Sequence, residues 1–192
     1  MTMDWEAQYE AGEMPWDEGA AHPALVDFIA AEGEFQGRVL IPGCGQGHDV
    51  RAVSSSASEV IGLDIAPAAV ERARIFPRRA REEYIVGDLF RLAGGLRGSF
   101  DWVVEHTCFC AIDPSMRPGY PGAVAGALKP GGLLFAIFYL DPAQERQPPF
   151  GVTMRELDDL FSPRFAVVRE WVPARTFEDR EKRELVRILR CL

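Results

Sequence analysis

Residues 38–50 read RVLIPGCGQGHDV, a short apolar run followed by a loop with glycine at positions 43, 45 and 47. A continuous apolar run of this length is typical of a strand that is buried on both faces. Glycines in the turn after such a strand let the backbone come close to a ligand that sits over the start of the next helix. The stretch therefore predicts a strand, a ligand-binding turn and a helix, although a tight turn can need glycine for steric reasons alone.

Four further apolar runs repeat this pattern along the chain. They are EVIGLD (59–64), EYIVGD (83–88), FDWVVE (100–105) and GGLLFAIFYL (131–140). Helical segments separate the runs at 49–56, 66–76 and 117–128, with a short loop or helix near Leu89 to Leu96. Another helix is predicted before the first strand, at 24–33, with Gly33 as its end. Strands that alternate with helices predict a parallel sheet that is covered on both faces.

The pattern changes after the fifth strand. Residues 141–150 are rich in proline and glutamine and predict a functional loop, and residues 153–161 predict a helix. Two alternating runs at 165–172 and 184–192, with a polar turn region between them, predict a long antiparallel hairpin. We therefore expect an α/β fold with a seven-stranded, mostly parallel sheet, in one domain that covers residues 1–192.

The balance of charge excludes several classes of partner. Lys and Arg total 21 against 29 Asp and Glu, a net charge of −8, whereas nucleic acids and anionic membranes are usually bound by clustered basic residues. The acidic amino terminus lacks the features of a targeting signal, and no apolar run approaches the ~20 residues of a membrane span. We expect a cytoplasmic monomer that binds neither nucleic acid nor membrane. Four cysteines without CxxC spacing predict free thiols and no metal.

Acidic residues end three of the predicted strands, at Asp64, Asp88 and Glu105. In a parallel sheet these ends meet at one edge, where ligands bind. Asp64 follows the glycine loop at a spacing that suits an acceptor for ribose hydroxyls, and it could also cap the next helix. A dinucleotide pyrophosphate favours GxGxxG, but here the third glycine comes one residue early and Asp49 lies in the first helical turn. The site therefore suits a cationic adenosyl sulfonium better than a nicotinamide cofactor.

Several longer stretches resemble one family. RVLIPGCGQGHDV, EVIGLDIAPAAVERAR and EHTCFCAIDPSMRPGY are similar to segments of the thiopurine S-methyltransferase family of class I S-adenosylmethionine-dependent enzymes. The opening WEAQYEAGEMPWDEGAAHP and the later QPPFGVTMRELDDLF are also similar to it, with the greatest likeness to the thiol and halide methyltransferases. The resemblance implies a Rossmann-like fold, S-adenosyl-L-methionine as cofactor and S-adenosyl-L-homocysteine as product.

The resemblance also divides the chain by role. It implies that residues 1–22 form a lid, residues 38–140 form the cofactor-binding core, and residues 141–192 supply the substrate loop, helix and terminal hairpin. The residues that it assigns to the cofactor lie in the lid, in the glycine loop and at the strand ends: Trp5, Tyr9, Trp16, Gly43, Cys44, Gly45, Asp64, Ile65, Asp88, Leu89 and Glu105.

The acceptor implied by the resemblance is a small soft nucleophile, namely a thiol, hydrosulfide or halide. Apolar pocket walls are expected from Phe109, Phe138, Tyr139 and Phe150, although the core is the more usual place for each of these aromatics, since strand interiors are rich in them. His106 and Thr107 are the candidate catalytic residues, because a histidine near its ordinary pKa of ~6.5 can accept the proton of a neutral thiol. His106 stands where an aromatic residue is expected in the halide-type enzymes, and Glu105 stands where Asp is expected.

Three alternatives stay open at this point. Within the methyltransferases, the acceptor could be a thiopurine or a selenium or tellurium compound. Outside them, the same sheet could bind NAD in an oxidoreductase. The chain could also bind S-adenosylmethionine without catalysing any transfer.

Overall fold

The computed structural model describes residues 3–32, 35–140 and 147–192. Gly33, the predicted end of the first long helix, and residues 141–146 of the predicted functional loop lie outside the described residues. All other predicted strands and helices fall within the described ranges.

Seven strands form one sheet in the order β3-β2-β1-β4-β5-β7-β6. Strands β1 to β5 pair in parallel, and β7 lies antiparallel between β5 and β6. This confirms the predicted seven-stranded, mostly parallel sheet with a terminal antiparallel hairpin. The strand bounds are β1 Arg38–Pro42, β2 Glu59–Asp64, β3 Glu82–Val86, β4 Phe100–His106, β5 Leu128–Tyr139, β6 Phe165–Trp171 and β7 Glu184–Cys191.

Strand β5 begins earlier than the sequence predicts, at Leu128 rather than at residue 131. The segment Lys129–Pro130–Gly131–Gly132 has the composition of a turn, and Gly131 has a φ of 73°. It forms an irregularity within the strand instead, because Phe100 of β4 pairs with Leu128 while Trp102 pairs with Leu133. The pairing on both sides of this irregularity keeps the segment inside the sheet.

The helices follow the predicted alternation, with two additions, at residues 5–11 and 108–111. The seven α-helices of the described ranges are α1 Trp5–Ala11, α2 Pro23–Glu32, α3 His48–Val53, α4 Pro67–Ile75, α5 Cys108–Ala111, α6 Tyr120–Ala127 and α7 Met154–Phe161. Residues 89–96, predicted as a short loop or helix, form two short 3-10 turns. None of the helices in the described ranges is long and apolar enough to cross a membrane.

Helix α1 is one of the two additions, because the periodicity of the first 22 residues fits neither a strand nor a long helix. The side chain of Asp4 accepts a hydrogen bond from the backbone N–H of Ala7 (3.1 Å) and caps the start of the helix. Gly12 ends the helix with a φ of 75°. The helix has two turns, so its capping residues define it more strongly than any apolar stripe.

Two hydrophobic clusters cover the two faces of the sheet. Alternate residues of β1 enter different clusters, since Leu40 packs on one side while Val39 and Ile41 pack on the other. Helices α6 and α7 cover the Leu40 side, and α2, α3 and α4 cover the opposite side. The carboxyl ends of the parallel strands therefore stand between two layers of helices, which confirms the predicted layer arrangement.

Substitution in the centre of the sheet should cost far more stability than substitution at its edge. Leu134 of β5 is fully buried, and Leu134→Ala should lower the free energy of unfolding by about 2–5 kcal/mol through lost burial and a residual cavity. Val167 of the edge strand β6 is 52% exposed, and Val167→Ala should cost less than about 1 kcal/mol. Urea unfolding of both variants measures the difference. Equal losses would contradict the placement of these two positions.

Candidate active site

The glycine loop takes a backbone path that other residues rarely adopt. Gly43, Gly45 and Gly47 have φ values of 61°, 51° and 77°, in the left-handed region that glycine enters without steric cost. Gly47 is doubly constrained, because a Cβ atom there would lie 2.5 Å from the ring of Tyr84. The glycines are therefore needed for the shape of this turn, whichever ligand it holds.

Asp64 lies at the end of β2, directly across from this loop. Its Oδ2 accepts a hydrogen bond from the N–H of Gly45 (2.8 Å), and its Oδ1 accepts one from the N–H of Ala66 (3.0 Å). Burial raises the pKa of Asp64, although these backbone hydrogen bonds oppose the shift. A carboxylate has about four lone-pair positions, so each oxygen can accept one more hydrogen bond. This donor and acceptor pattern fits the ribose hydroxyls of an adenosyl cofactor.

The amino-terminal segment packs directly against the loop and against helix α4. Tyr9 is buried, and its hydroxyl lies 2.9 Å from the position that a Cβ of residue 45 would take. Trp16 packs edge-on against the rings of both Trp5 (5.2 Å) and Tyr9 (5.7 Å). Arg72 of α4 donates to the carbonyl of Tyr9 (2.7 Å). The three predicted lid aromatics are thus held together beside the glycine loop.

A second set of contacts fixes the end of this segment. The carboxylate of Asp17 accepts a hydrogen bond from the side chain of Gln46, and its other oxygen lies 3.2 Å from Nε2 of His48. The pKa of Asp17 is lowered, chiefly by its interaction with His48. Glu6 accepts hydrogen bonds from the N–H of Ala68 at the start of α4 (3.0 and 3.3 Å). The segment is therefore anchored at both of its ends on the cofactor side of the sheet.

The other predicted cofactor residues occupy different environments. Ile65 is 59% exposed directly after β2, whereas Leu89 is buried in the 3-10 turn that Asp88 caps through the N–H of Phe90 (2.9 Å). The sulfur of Cys44 lies above Gly62, within the cluster that underlies the loop. A contact between Cys44 and a cofactor would therefore use its backbone.

Glu105, at the end of β4, is 1% exposed and already has protein partners for both oxygens. Oε1 accepts the N–H of Phe109 (2.8 Å), and Oε2 accepts the hydroxyl of Tyr120. Burial raises the pKa of Glu105 to about 7. The structure therefore places Glu105 beneath the site, where it organises the start of α5. The contact with the sugar or amino-acid end that the resemblance implies stays a prediction.

His106 follows Glu105 and faces a second acidic group. Its Nδ1 lies 2.7 Å from Oδ2 of Asp49, in the first turn of α3. Burial lowers the pKa of His106, but the nearby carboxylates, that of Asp49 first among them, together outweigh this effect, so that the pKa lies above its ordinary value. Thr107 comes next with a φ of 66°, a conformation that is costly for a β-branched residue and is found most often at functional sites. The two candidate catalytic residues are thus adjacent at the carboxyl edge of the sheet.

A further pair, His22 and Glu184, lies against His106. His22 is fully buried, its Nε2 is 2.8 Å from Oε2 of Glu184, and its ring meets that of His106 edge-on at 4.6 Å. The three side chains have the composition of a metal site. However, the N–H of Ala24 donates to Nδ1 of His22 (3.1 Å), which places the ring proton on Nε2. That nitrogen then donates to Glu184 and has no lone pair for a metal ion.

The four predicted pocket aromatics do not form a single wall. Phe109 and Phe138 are buried with Phe161 in the core, with ring centroids 5.2–5.8 Å apart. Tyr139, the next residue of β5, faces the other way and lies 4.5 Å under the guanidinium of Arg180. Successive residues of a strand face opposite sides, which separates Phe138 from Tyr139. The assignment of these residues to an acceptor pocket stays a prediction.

Phe150 is held by a buried arginine. Arg117 donates to the carbonyls of Phe150 (2.7 Å) and Gly151 (3.0 Å), and it pairs with Glu156 of α7 (3.1 Å).

Arg117, Arg180 and Glu184 have no sequence motif that predicts a role in the site. Buried charged residues signal a specific contact once burial is known, but burial of a single charged residue is invisible in the sequence.

The fold is the Rossmann-like fold of class I methyltransferases. Among solved structures, NodS, an N-methyltransferase from Bradyrhizobium japonicum WM9 in complex with S-adenosylhomocysteine, is similar with a TM-score of 0.73 and 18% identity over 97% of each chain. A Burkholderia thailandensis 1,6-didemethyltoxoflavin-N1-methyltransferase with bound S-adenosylhomocysteine has a TM-score of 0.73 and 21% identity, covering 96% of this chain and 84% of that chain. At these identities the likeness shows the fold alone.

The sequence gives a narrower assignment. Residues 1–189 match the model of the Thiopurine S-methyltransferase (TPMT) family. The chain is 34% identical over 163 residues to thiocyanate methyltransferase 1 of Brassica oleracea, covering 83% of this chain and 71% of that protein. It is 34% identical over 165 residues to a probable thiol methyltransferase 2 of Arabidopsis thaliana, with the same coverage of each.

The protein belongs to the thiopurine S-methyltransferase family and is an S-adenosylmethionine-dependent methyltransferase. A thiopurine S-methyltransferase of Xanthomonas campestris is more distant, with 26% identity over 181 residues, 85% of this chain and 83% of that protein. The family resemblance, the enzyme class and the cofactor predicted from the sequence are confirmed. The NAD-dependent and non-catalytic alternatives are wrong.

The buried carboxyl of Glu105 should make stability depend on pH. Its pKa of about 7 in the folded protein exceeds the ordinary value of 4.5, so between these values the unfolded chain loses a proton that the folded chain keeps. The free energy of unfolding should therefore fall as pH rises through this window, by about 3 kcal/mol at most from this group. Glu105→Gln has no such proton and should remove this fall. Urea unfolding from pH 5 to pH 8 measures it. A stability difference between variant and parent that does not change with pH would contradict the prediction.

Proposed function

We propose that the protein transfers the methyl group of S-adenosylmethionine to the sulfur of a small thiol or hydrosulfide. The observation that carries this proposal is the pairing of His106 with the Asp49 carboxylate at the carboxyl edge of β4 (2.7 Å). A thiol with an ordinary pKa near ~8.5 is mostly protonated at neutral pH, and its thiolate is the nucleophile. His106 is the group beside the site that can take this proton.

The reaction itself needs little further chemistry from the chain. S-adenosylmethionine supplies an electrophilic methyl group on a sulfonium sulfur. Because a thiolate and a sulfonium neutralise each other during the transfer, a site with little water favours the transition state over the separated ions. The docked segment of Trp5, Tyr9 and Trp16 supplies such a cover, and aromatic faces are favourable partners for a cation at roughly 0.5 to 2 kcal/mol each.

For the cofactor, we propose the contacts implied by the family resemblance. Asp64 accepts the ribose hydroxyls, Asp88 and Leu89 contact the adenine with Ile65 beside them, and the loop at Gly43, Cys44 and Gly45 holds the methionine part. The two backbone hydrogen bonds that fix Asp64 support the first of these roles, because they orient the carboxylate before any ligand binds.

The relatives support a sulfur acceptor without distinguishing its form. Their names include a thiocyanate methyltransferase, a probable thiol methyltransferase and a thiopurine S-methyltransferase. Thiocyanate and the halides are the second candidate class, since they are small anions that need no base.

Loss of the Asp64 carboxylate should weaken cofactor binding. Asp64→Ala removes two charge-assisted hydrogen bonds of roughly 1.5–3 kcal/mol each, so the affinity for S-adenosylhomocysteine should fall on the order of a hundredfold or more. Isothermal titration calorimetry measures this, with circular dichroism to verify folding. Asp159→Ala, on the exposed side of α7, is the matched control and should bind as the parent does. Parent-like affinity in folded Asp64→Ala would remove Asp64 from the ribose site.

His106 should matter for thiols and not for acceptors that are already anions. His106→Asn keeps an amide N–H towards Asp49 but cannot accept a proton, so methylation of methanethiol or an aromatic thiol near pH 7 should fall on the order of a hundredfold. Methylation of iodide and thiocyanate should change less than about threefold, since neither needs a base. Release of S-adenosylhomocysteine is measured with each acceptor and with a thiopurine. If the rate of methylation falls equally with thiol and iodide, His106 is structural. If the parent protein methylates only the thiopurine, the proposed small-thiol acceptor is wrong.

A further inference from the structure

We propose that Asp49 is the positioning residue for His106, and that the His22–Glu184 pair holds the imidazole in place from its other side. This inference rests on the proposed function, in which His106 accepts the proton of a thiol. The inference identifies the ring nitrogen of His106 that accepts the proton and the residues that determine which nitrogen it is.

Asp49 has a fixed place between two parts of the chain. Its Oδ1 accepts the backbone N–H of His22 (2.9 Å), while its Oδ2 faces Nδ1 of His106 (2.7 Å). Burial raises the pKa of Asp49, but His106 and the His22 N–H lower it by more, so the pKa lies below its usual value and the group stays a carboxylate. Because both oxygens of Asp49 have a hydrogen-bond partner, the carboxylate has a defined orientation. Its contact with Nδ1 in turn orients the imidazole of His106.

The charge on Asp49 also selects the tautomer of His106. A carboxylate only accepts hydrogen bonds, so the Nδ1 that faces it carries a proton. Nε2 is then the nitrogen whose lone pair can take the proton of an acceptor. A buried aspartate that holds the partner nitrogen of a histidine base is a recurrent device, because the same contact stabilises the imidazolium that forms.

His22 and Glu184 lie on the other side of the His106 ring, and the direction of the hydrogen bond between them is fixed. The N–H of Ala24 donates to Nδ1 of His22, so Nε2 of His22 carries the proton and donates to Glu184 (2.8 Å). The ring of Phe177 lies against both histidine rings, 5.1 Å from His22 and 6.3 Å from His106. With this polarity, His22 lies between Glu184 and His106 and keeps the carboxylate near the His106 ring.

Carboxylates from three elements act on His106. Asp49 belongs to α3, Glu184 to β7 and Glu105 to the same strand as His106, and each of these three raises the pKa of His106. Burial acts in the opposite direction. Removal of the Asp49 charge should therefore make His106 a weaker base, whereas removal of the more distant Glu184 charge should have a smaller effect of the same sign.

The test is the pH dependence of methylation in Asp49→Asn. For a thiol, the acid limb of kcat/KM should move to lower pH by about one unit or more, and kcat should fall at least about tenfold while KM changes less than about threefold. With iodide as acceptor, which needs no base, kcat should change by less than about threefold across the same pH range. Glu184→Gln should move the thiol limb in the same direction by less. Asp159→Asn, on exposed α7, is the matched control and should leave it in place. An acid limb that stays in place in folded Asp49→Asn would overturn the proposal.

A second measurement uses the parent protein and does not depend on how the variants fold. Long-range ¹H–¹⁵N NMR spectra distinguish the two neutral imidazole tautomers, with His106→Asn providing the assignment. Neutral His106 should carry its proton on Nδ1, and a proton on Nε2 would overturn the proposal. If His106→Asn slows thiol and iodide methylation equally, the proposed function fails, whatever the tautomer. If that variant is selective for thiols but the tautomer or the Asp49→Asn profile is not as stated, the positioning proposal alone fails.

Discussion

The parallel pairing of β1 with β2 on one side and with β4 on the other brings the glycine loop, Asp64 and His106 to one edge of the sheet. Leu40 pairs with Ile61 and with Val103, so the chain leaves all three strands at the same edge of the sheet. Asp64 and His106 are the last residues of β2 and β4, and the glycine loop begins directly after β1. Their mutual distances therefore follow from backbone hydrogen bonds in the sheet, which are shared among many residues and do not depend on any one side chain.

Much of this arrangement could be predicted from the sequence because it follows from periodicity. Continuous apolar runs define strands buried on both faces, and acidic residues directly after such runs must lie near one edge. The early start of β5 at Leu128 and the short helix α1 could not be predicted in this way. The first depends on pairing with Phe100, and the second depends on the caps Asp4 and Gly12 in a segment without periodicity.

The candidate site was less predictable than the fold, for a physical reason. Position along a strand determines where a residue lies, but the environment of its side chain depends on partners elsewhere in the chain. Glu105 is an acidic strand end like Asp64, yet Tyr120 and the N–H of Phe109 take up both of its oxygens. His106 can act as a base only because helix α3 places the Asp49 carboxylate beside its ring. Neither pairing has a sequence motif, whereas the cofactor loop has one.

The bond between His22 and Glu184 joins positions separated by 162 residues. Glu184 opens β7, which follows β6 in the sequence but inserts between β5 and β6 rather than adding to the outer edge of the sheet. During synthesis, the earlier strands can pair while β7 is still inside the ribosome, but the imidazole cluster cannot close. Contacts of such high sequence separation form late, since the loop entropy must be overcome first. In a nascent chain, the glycine loop and Asp64 would thus come together before Glu184 reaches the side of His22 and His106.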